Sequence, residues 1–165
     1  MKKITNIIIH CSDSLFGDAK LIDSWHKERG WKSIGYHFVI LNGYRTKNNY
    51  NVKDDGLIEK GRFLNDDEWL QNNEIGSHCL GLNDTTIGIC LIGIDQFTMS
   101  QWKALVNLCI DRIKKAKIQP EHIIGHYETI SGKQQGKTCP NFDVNFLRHC
   151  VKCENYLAAI PSNII

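Results

Sequence analysis

The spacing of hydrophobic positions changes period several times along the chain, and each change marks an element. "ITNIIIHC" is β-branched and nearly continuous in apolar character, which predicts an interior strand ending at His10. "DAKLIDSWHKERG" carries Leu21, Ile22 and Trp25 at helical spacing, with Asp18 as cap and Gly30 as stop, and predicts a first helix. "IGYHFVILNG" alternates as a strand, with Tyr36, Phe38 and Ile40 on one face and His37, Val39 and Leu41 on the other. "GLIEKGR" and "TTIGICLIG" predict two further short strands, while the Asn-rich "YRTKNNYNVKDD" reads as a loop or hairpin extension. "TMSQWKALVNLCIDRIKKA" opens with Thr98 and Gln101 in capping-box spacing and lines up Trp102, Leu105, Val106, Cys109, Ile113 and Ala116 as a helical stripe. "EHIIGHYE" predicts a short strand with His122, Ile124 and His126 pointing one way, and "DVNFLRHCVKCENYLA" a closing helix. Strands interleaved with helices make an α/β (α+β) fold: a single domain over residues 1–165, with a central mixed β-sheet flanked by helices.

Composition narrows the function classes. Apolar residues at 42% and charged ones at 23% are ordinary globular values, and 3 prolines against 13 glycines leave no low-complexity linker. A net charge of +2 with dispersed cations gives no nucleic-acid surface. The opening "MKKITNIIIHCSDS" has an apolar run too short and too interrupted for a secretory signal, and no stretch approaches the roughly 18 apolar residues of a membrane span. These features predict a protein made in a cytoplasm, with neither nucleic acid nor membrane as partner. Seven cysteines, an odd number, fit a reducing compartment, and Cys90 and Cys109 sit in apolar contexts suited to inert buried thiols.

Candidate chemistry comes from placement. His10 ends one predicted strand, His126 ends another, and Cys139 lies in the loop after the second, so all three can converge at one sheet edge. Two imidazoles and a thiolate are three zinc ligands, which leave the fourth tetrahedral position open, as catalytic zinc requires. On spacing alone the same side chains fit hydrogen-bonded core or surface positions, the commoner state of scattered histidines. Cys11 follows His10, and strand alternation turns it away from the metal and into the core. "CVKC" at Cys150 to Cys153 has the spacing of half a zinc site or of a redox pair, but lies on a predicted helix with no second pair nearby.

Six motifs in order, "IIIHCSDS", "WHKERGWKSIGYHFVI", "GLIEKGR", "GSHCLGLNDTTIGICLIG", "IIGHYE" and "KTCPNFDV", cover the chain from about Ile7 to Val144. Through them the sequence resembles the zinc-dependent N-acetylmuramoyl-L-alanine amidases shared by phage lysozyme-amidases and peptidoglycan recognition proteins. The resemblance implies one Zn2+ held by His10, His126 and Cys139, with Tyr36 and Lys137 as catalytic residues and His78 and Asn83 on a substrate-binding groove wall. It implies a partner, peptidoglycan with its glycan strand and stem peptide, and a monomeric endolysin that reaches the cell wall after release, with no separate wall-binding domain. The other readings are a non-catalytic peptidoglycan-binding module, whose members typically lack the cysteine ligand, a cysteine hydrolase using Cys139 or Cys11, and the regulatory polymerase binding of some phage relatives, for which the short segment before His10 gives no specific support.

No H-E-x-x-H helix is present, so proton handling falls to Tyr36 or Lys137, with Glu128 as a further candidate. His37, opposite Tyr36, takes a packed or supporting role. Two segments exceed the family pattern: "YETISGKQQGKT", which leaves the path of Cys139 open, and "YRTKNNYNVKDD", which is placed to line the groove.

Overall fold

A computed structural model describes all 165 residues. In chain order the elements are β1 (Lys2–Lys3), β2 (Asn6–Cys11), α1 (Ala19–Glu28), β3 (Phe38–Thr46), β4 (Asn49–Lys60), β5 (Trp69–Leu70), β6 (Thr86–Leu91), α2 (Met99–Ala116), β7 (Ile123–Gly125), α3 (Ile130–Gln134) and α4 (Val144–Lys152). Five strands form the central sheet in the order β4-β3-β6-β2-β7, and β1 pairs with β5 in a separate ribbon. β2 runs parallel to both β6 and β7, β3 runs parallel to β6, and β4 closes the edge antiparallel to β3. The sheet is therefore mixed, as the interleaving of strands and helices predicts.

Alternation along the inner strands divides the buried residues into two layers. Ile7, Ile9 and Cys11 of β2, Ile87, Ile89 and Leu91 of β6, and Phe38 and Ile40 of β3 join α2 and α4 in a cluster of 25 buried residues. Val39, Leu41, Cys90 and Ile92 face the other way and meet Ile22 of α1 in a cluster of 6. The large layer is anchored by Trp102, fully buried, whose ring meets Phe142 edge-on and whose Nε1 donates to Tyr156 O at 2.9 Å.

Helix ends follow the sequence signals. Asp18 caps α1 by accepting from Leu21 N, and Thr98 and Gln101 form the capping box of α2. Such a cap contributes about 1 kcal/mol. Gln101 does more than cap: its Nε2 donates to Ile40 O and Ile92 O, so it ties the start of α2 to β3 and to the residue that follows β6. No helix is long and apolar enough to cross a membrane.

The polar insertion is a hairpin extension rather than a loop: β3 and β4 run through it, with the Tyr44 and Tyr50 rings tilted against each other 5.1 Å apart and with Arg45 bridging Asp18, Asp54 and Glu59. Two expectations are corrected. Tyr36 does not share a face with Phe38 and Ile40, because His37 lies in a bend before β3 begins and the alternation starts only at Phe38. Tyr36 packs instead against the Val39 and Leu41 layer. The segment after His126 is a helical turn followed by α3 rather than an open loop.

Candidate metal centre

The register of the parallel strands brings the first two candidate ligands together. Ile9 pairs with Gly125, so the residues that follow, His10 still in β2 and His126 in the helical turn after β7, stand side by side. Adjacent strands lie about 4.8 Å apart, and the two ring centroids are 4.5 Å apart. His10 and His126 are both buried.

Cys139 reaches them through a chain path that is pinned at several points. Tyr127 N donates to Cys139 O, Lys137 N to Gly132 O, and Asn141 Nδ2 to Ile94 O. Gly132 lets this path lie close against the His126 carbonyl: a Cβ there would stand 1.9 Å from His126 O. Cys139 Sγ ends 3.4 Å from His126 Nδ1, and one donor atom from each of His10, His126 and Cys139 lies within 4.8 Å of the others. Zinc bonded at about 2.05 Å to nitrogen and 2.3 Å to sulfur in a tetrahedron sets those two atoms about 3.6 Å apart. The donor set and its spacing fit the ion.

Electrostatics in the cluster favour a thiolate. The Cys11 thiol beside Cys139, followed by hydrogen bonds from His10 and His126, holds the Cys139 thiol far below its ordinary value against the opposing effect of burial. Burial pulls His126 down, but Cys139 and Cys79 outweigh it and raise the imidazole to about 9. Burial dominates at His10 and lowers it. Cys11 belongs to the large apolar layer, as alternation requires, yet its thiol is not remote from the centre, because Cys139 packs over that same layer.

Beside the cluster opens a cavity of about 360 Å3, lined among others by Tyr36, His78, Asn83, His126 and Lys137. The Tyr36 ring packs at a tilt against His10, with centroids 5.1 Å apart, and burial, with the Cys90, Cys139 and Cys11 thiols adding to it, pushes its phenol well above 10. It is therefore an O–H donor at neutral pH. Lys137 is exposed and lines a second cavity of about 1010 Å3 as well, so its side chain stands on the ridge between the two.

Other candidates take different positions. Asn83 Oδ1 accepts from His78 N and Cys79 N, which fixes the loop that carries His78, and the His78 ring turns toward His10 with Nδ1 3.1 Å from His10 Nε2. His37 is fully buried, with Nε2 against Glu74 O and Nδ1 accepting from Gly88 N, the packed role expected of it. Glu128 is committed elsewhere: it pairs with Arg148 and accepts from Gly125 N. In the Cys150 to Cys153 pair, Cys150 is buried and Cys153 exposed. The β3–β4 hairpin does not line the cavity.

Two residues escape sequence reasoning. His26 accepts from Gly35 N and packs its ring 5.5 Å from Tyr36. Cys79 lies 3.4 Å from Ser131 Oγ and 3.6 Å from Thr129 Oγ1, on the His126 side of the site. His26 has a signal, since helical spacing sets it beside the Ile22 stripe; Cys79 has none.

Sequence and fold both match known proteins. Residues 1–142 match the family model described as N-acetylmuramoyl-L-alanine amidase. The endolysin of Escherichia phage T7 is 34% identical over 149 residues, covering 84% of this chain and 81% of that one. Among solved structures, the endolysin amidase LysCS from Clostridium intestinale superposes with a TM-score of 0.69 at 25% identity, covering 93% of this chain and 86% of the other. Wild-type Drosophila PGRP-LB superposes with a TM-score of 0.58 at 25% identity, over 87% and 85% of the two chains. With the match spanning the whole sheet and all three clustered donors, the chain belongs to the N-acetylmuramoyl-L-alanine amidase family.

Proposed function

We propose that this protein is a zinc-dependent peptidoglycan hydrolase of the endolysin kind, which cuts the amide between N-acetylmuramic acid and the L-alanine of the stem peptide. One observation carries the reading: the His10, His126 and Cys139 donors meet within 4.8 Å, and His126 lines a cavity whose wall also includes Tyr36 and Lys137. His10, His126 and Cys139 would hold the ion. When bound, zinc supplies a Lewis acid that polarises a carbonyl and lowers the pKa of water to about 7.

The remaining work falls to side chains of the chain itself. As the amide carbon becomes tetrahedral its oxygen gains charge, and donors already in place stabilise that charge without reorganising. The Tyr36 hydroxyl, neutral and on a ring that packs against His10, supplies one such donor, and the Lys137 ammonium at the cavity edge supplies a cation. Protons pass to the leaving amine from one of these two, since Glu128 is held by Arg148.

A second reading rests on the 3.4 Å contact between Cys139 Sγ and His126 Nδ1, which is also the arrangement of a thiolate nucleophile and its histidine. Digestion of purified peptidoglycan with and without chelator, read by mass analysis, separates the two. Free stem peptides beginning with L-alanine, lost on chelation and regained with zinc, are the expected products. Products that keep sugar joined to peptide would overturn the amidase reading, and activity that survives chelation but not thiol alkylation would favour the thiol enzyme.

A further inference from the structure

We infer that His78 is a positioning residue: it fixes the ring of His10 and the nitrogen on which that ring carries its proton, so that His10 presents Nδ1 to the metal. The inference rests on the zinc reading above. His78 Nε2 faces Thr86 O at 3.3 Å, and a carbonyl oxygen only accepts. The Thr86 hydroxyl is 3.5 Å from the same nitrogen but donates its hydrogen to Leu82 O at 2.7 Å. Two acceptors therefore face His78 Nε2, and that nitrogen carries the hydrogen.

A neutral ring with its hydrogen on Nε2 has a bare Nδ1. That atom stands 3.1 Å from His10 Nε2, which must donate to it. With its hydrogen on Nε2, His10 keeps the lone pair on Nδ1, the nitrogen left for His126 and Cys139 to share an ion with. The chain from Thr86 O through two imidazoles thus sets one tautomer at the ligand, by the same logic through which outer hydrogen bonds orient ligating histidines.

His78 is held for this task by a slot that admits no larger neighbours. A Cβ on Gly88 would lie 2.6 Å from its ring Cγ, and one on Gly76 would lie 2.8 Å from Cδ2. His37 meets the ring edge-on, and Asn83 anchors its backbone N–H. Only 8% of the residue is exposed, too little for a broad substrate contact and enough for the ring edge to touch the cavity.

Nitrogen-15 NMR of the metal-free wild-type protein reads the tautomers directly, and zinc affinity by competition with a chelator reads the consequence. We expect both His10 and His78 protonated at Nε2. His78→Phe should weaken zinc binding about 10- to 100-fold and release His10 to a mixture of tautomers. His78→Asn, whose Oδ1 can accept near the place of Nδ1, should recover most of the affinity, which loss of packing alone would not allow. A wild-type His10 protonated at Nδ1, or a folded His78→Phe protein that binds zinc as tightly as wild type, would overturn the inference. If wild type binds no zinc, the zinc reading fails, and the NMR result still decides the tautomer chain.

Discussion

The two faces of the central sheet are built on opposite terms, and adjacent residues of β2 belong to different ones. Cys11 enters a layer of 25 buried apolar residues under α2 and α4. His10, one position earlier, turns to a face whose apolar cluster holds only 6 residues. That thinner side gathers five histidines, at 10, 26, 37, 78 and 126, all buried and each with a hydrogen-bond or ring partner. No buried side-chain nitrogen or oxygen is left without a partner. Burying a polar group without one costs on the order of 1–3 kcal/mol, so the site face can stay dry and polar only as a connected network. One face supplies stability and the other spends the same burial on setting donors in place.

The sharpest way to break that contrast is to remove the candidate ligand that reaches the histidines from over the large layer. Cys139→Ser exchanges the thiolate for a weakly coordinating hydroxyl, and we expect zinc binding and peptidoglycan hydrolysis to fall by about 10³-fold or more. The metal-free variant should keep its melting temperature within a few degrees, since Cys139 is only half-buried. Hydrolysis near the wild-type rate would remove Cys139 from the centre. Trp102→Ala tests the other face. Deleting a fully buried indole should cost about 3–5 kcal/mol in denaturant unfolding while the folded fraction still binds zinc. A loss of metal affinity without a loss of stability would show that the faces are not separable.

Tyr36→Phe cuts more finely, because it deletes one hydroxyl and leaves the ring that packs on His10 and His26. Turnover should drop about 10²- to 10³-fold, the usual cost of one oxyanion donor, with zinc affinity unchanged. Unchanged turnover would assign the donor role to Lys137 alone.

The stabilising face was the more legible in sequence. Its signals are local: the apolar run of "NIIIHC", the helical stripe from Trp102 to Ala116 and the Thr98 to Gln101 capping box each lie within one element and appear where periodicity puts them. On the site face, His10 and His126 were legible as residues near strand ends and Cys139 through a family pattern, although β2 runs one residue past His10 and both His122 and His126 lie in the helical turns that flank β7 rather than in a strand. Tyr36 was legible as a residue but not in direction, since a bend at His37 resets the alternation that sequence reading carried through. The partnership of His78 with His10 joins residues 68 positions apart and left no local trace. Periodicity describes what an element does with its own face; it says nothing of which loop will lean across it.

The smallest effect is absent at neutral pH and appears only as acid is added. Burial holds His37 neutral and lowers it from 6.5 to about 4, with the Glu74 carbonyl opposing and Arg62 assisting. In the unfolded chain the same ring takes up its proton near 6.5. Above that pH neither state is charged and His37 contributes no pH dependence. Between 6.5 and 4 the unfolded state binds a proton that the folded state refuses, so stability falls as pH falls, by up to about 1.4 kcal/mol per unit and about 3 kcal/mol by pH 4. His37→Asn removes the titrating group while leaving an oxygen able to accept from Gly88 N. Urea unfolding of the metal-free proteins at several pH values should show the variant less stable at pH 7 but with a shallower acid slope than wild type. Equal slopes would mean that His37 is protonated as readily inside the fold as outside it, and the thin face would then tolerate charge that its packing says it excludes.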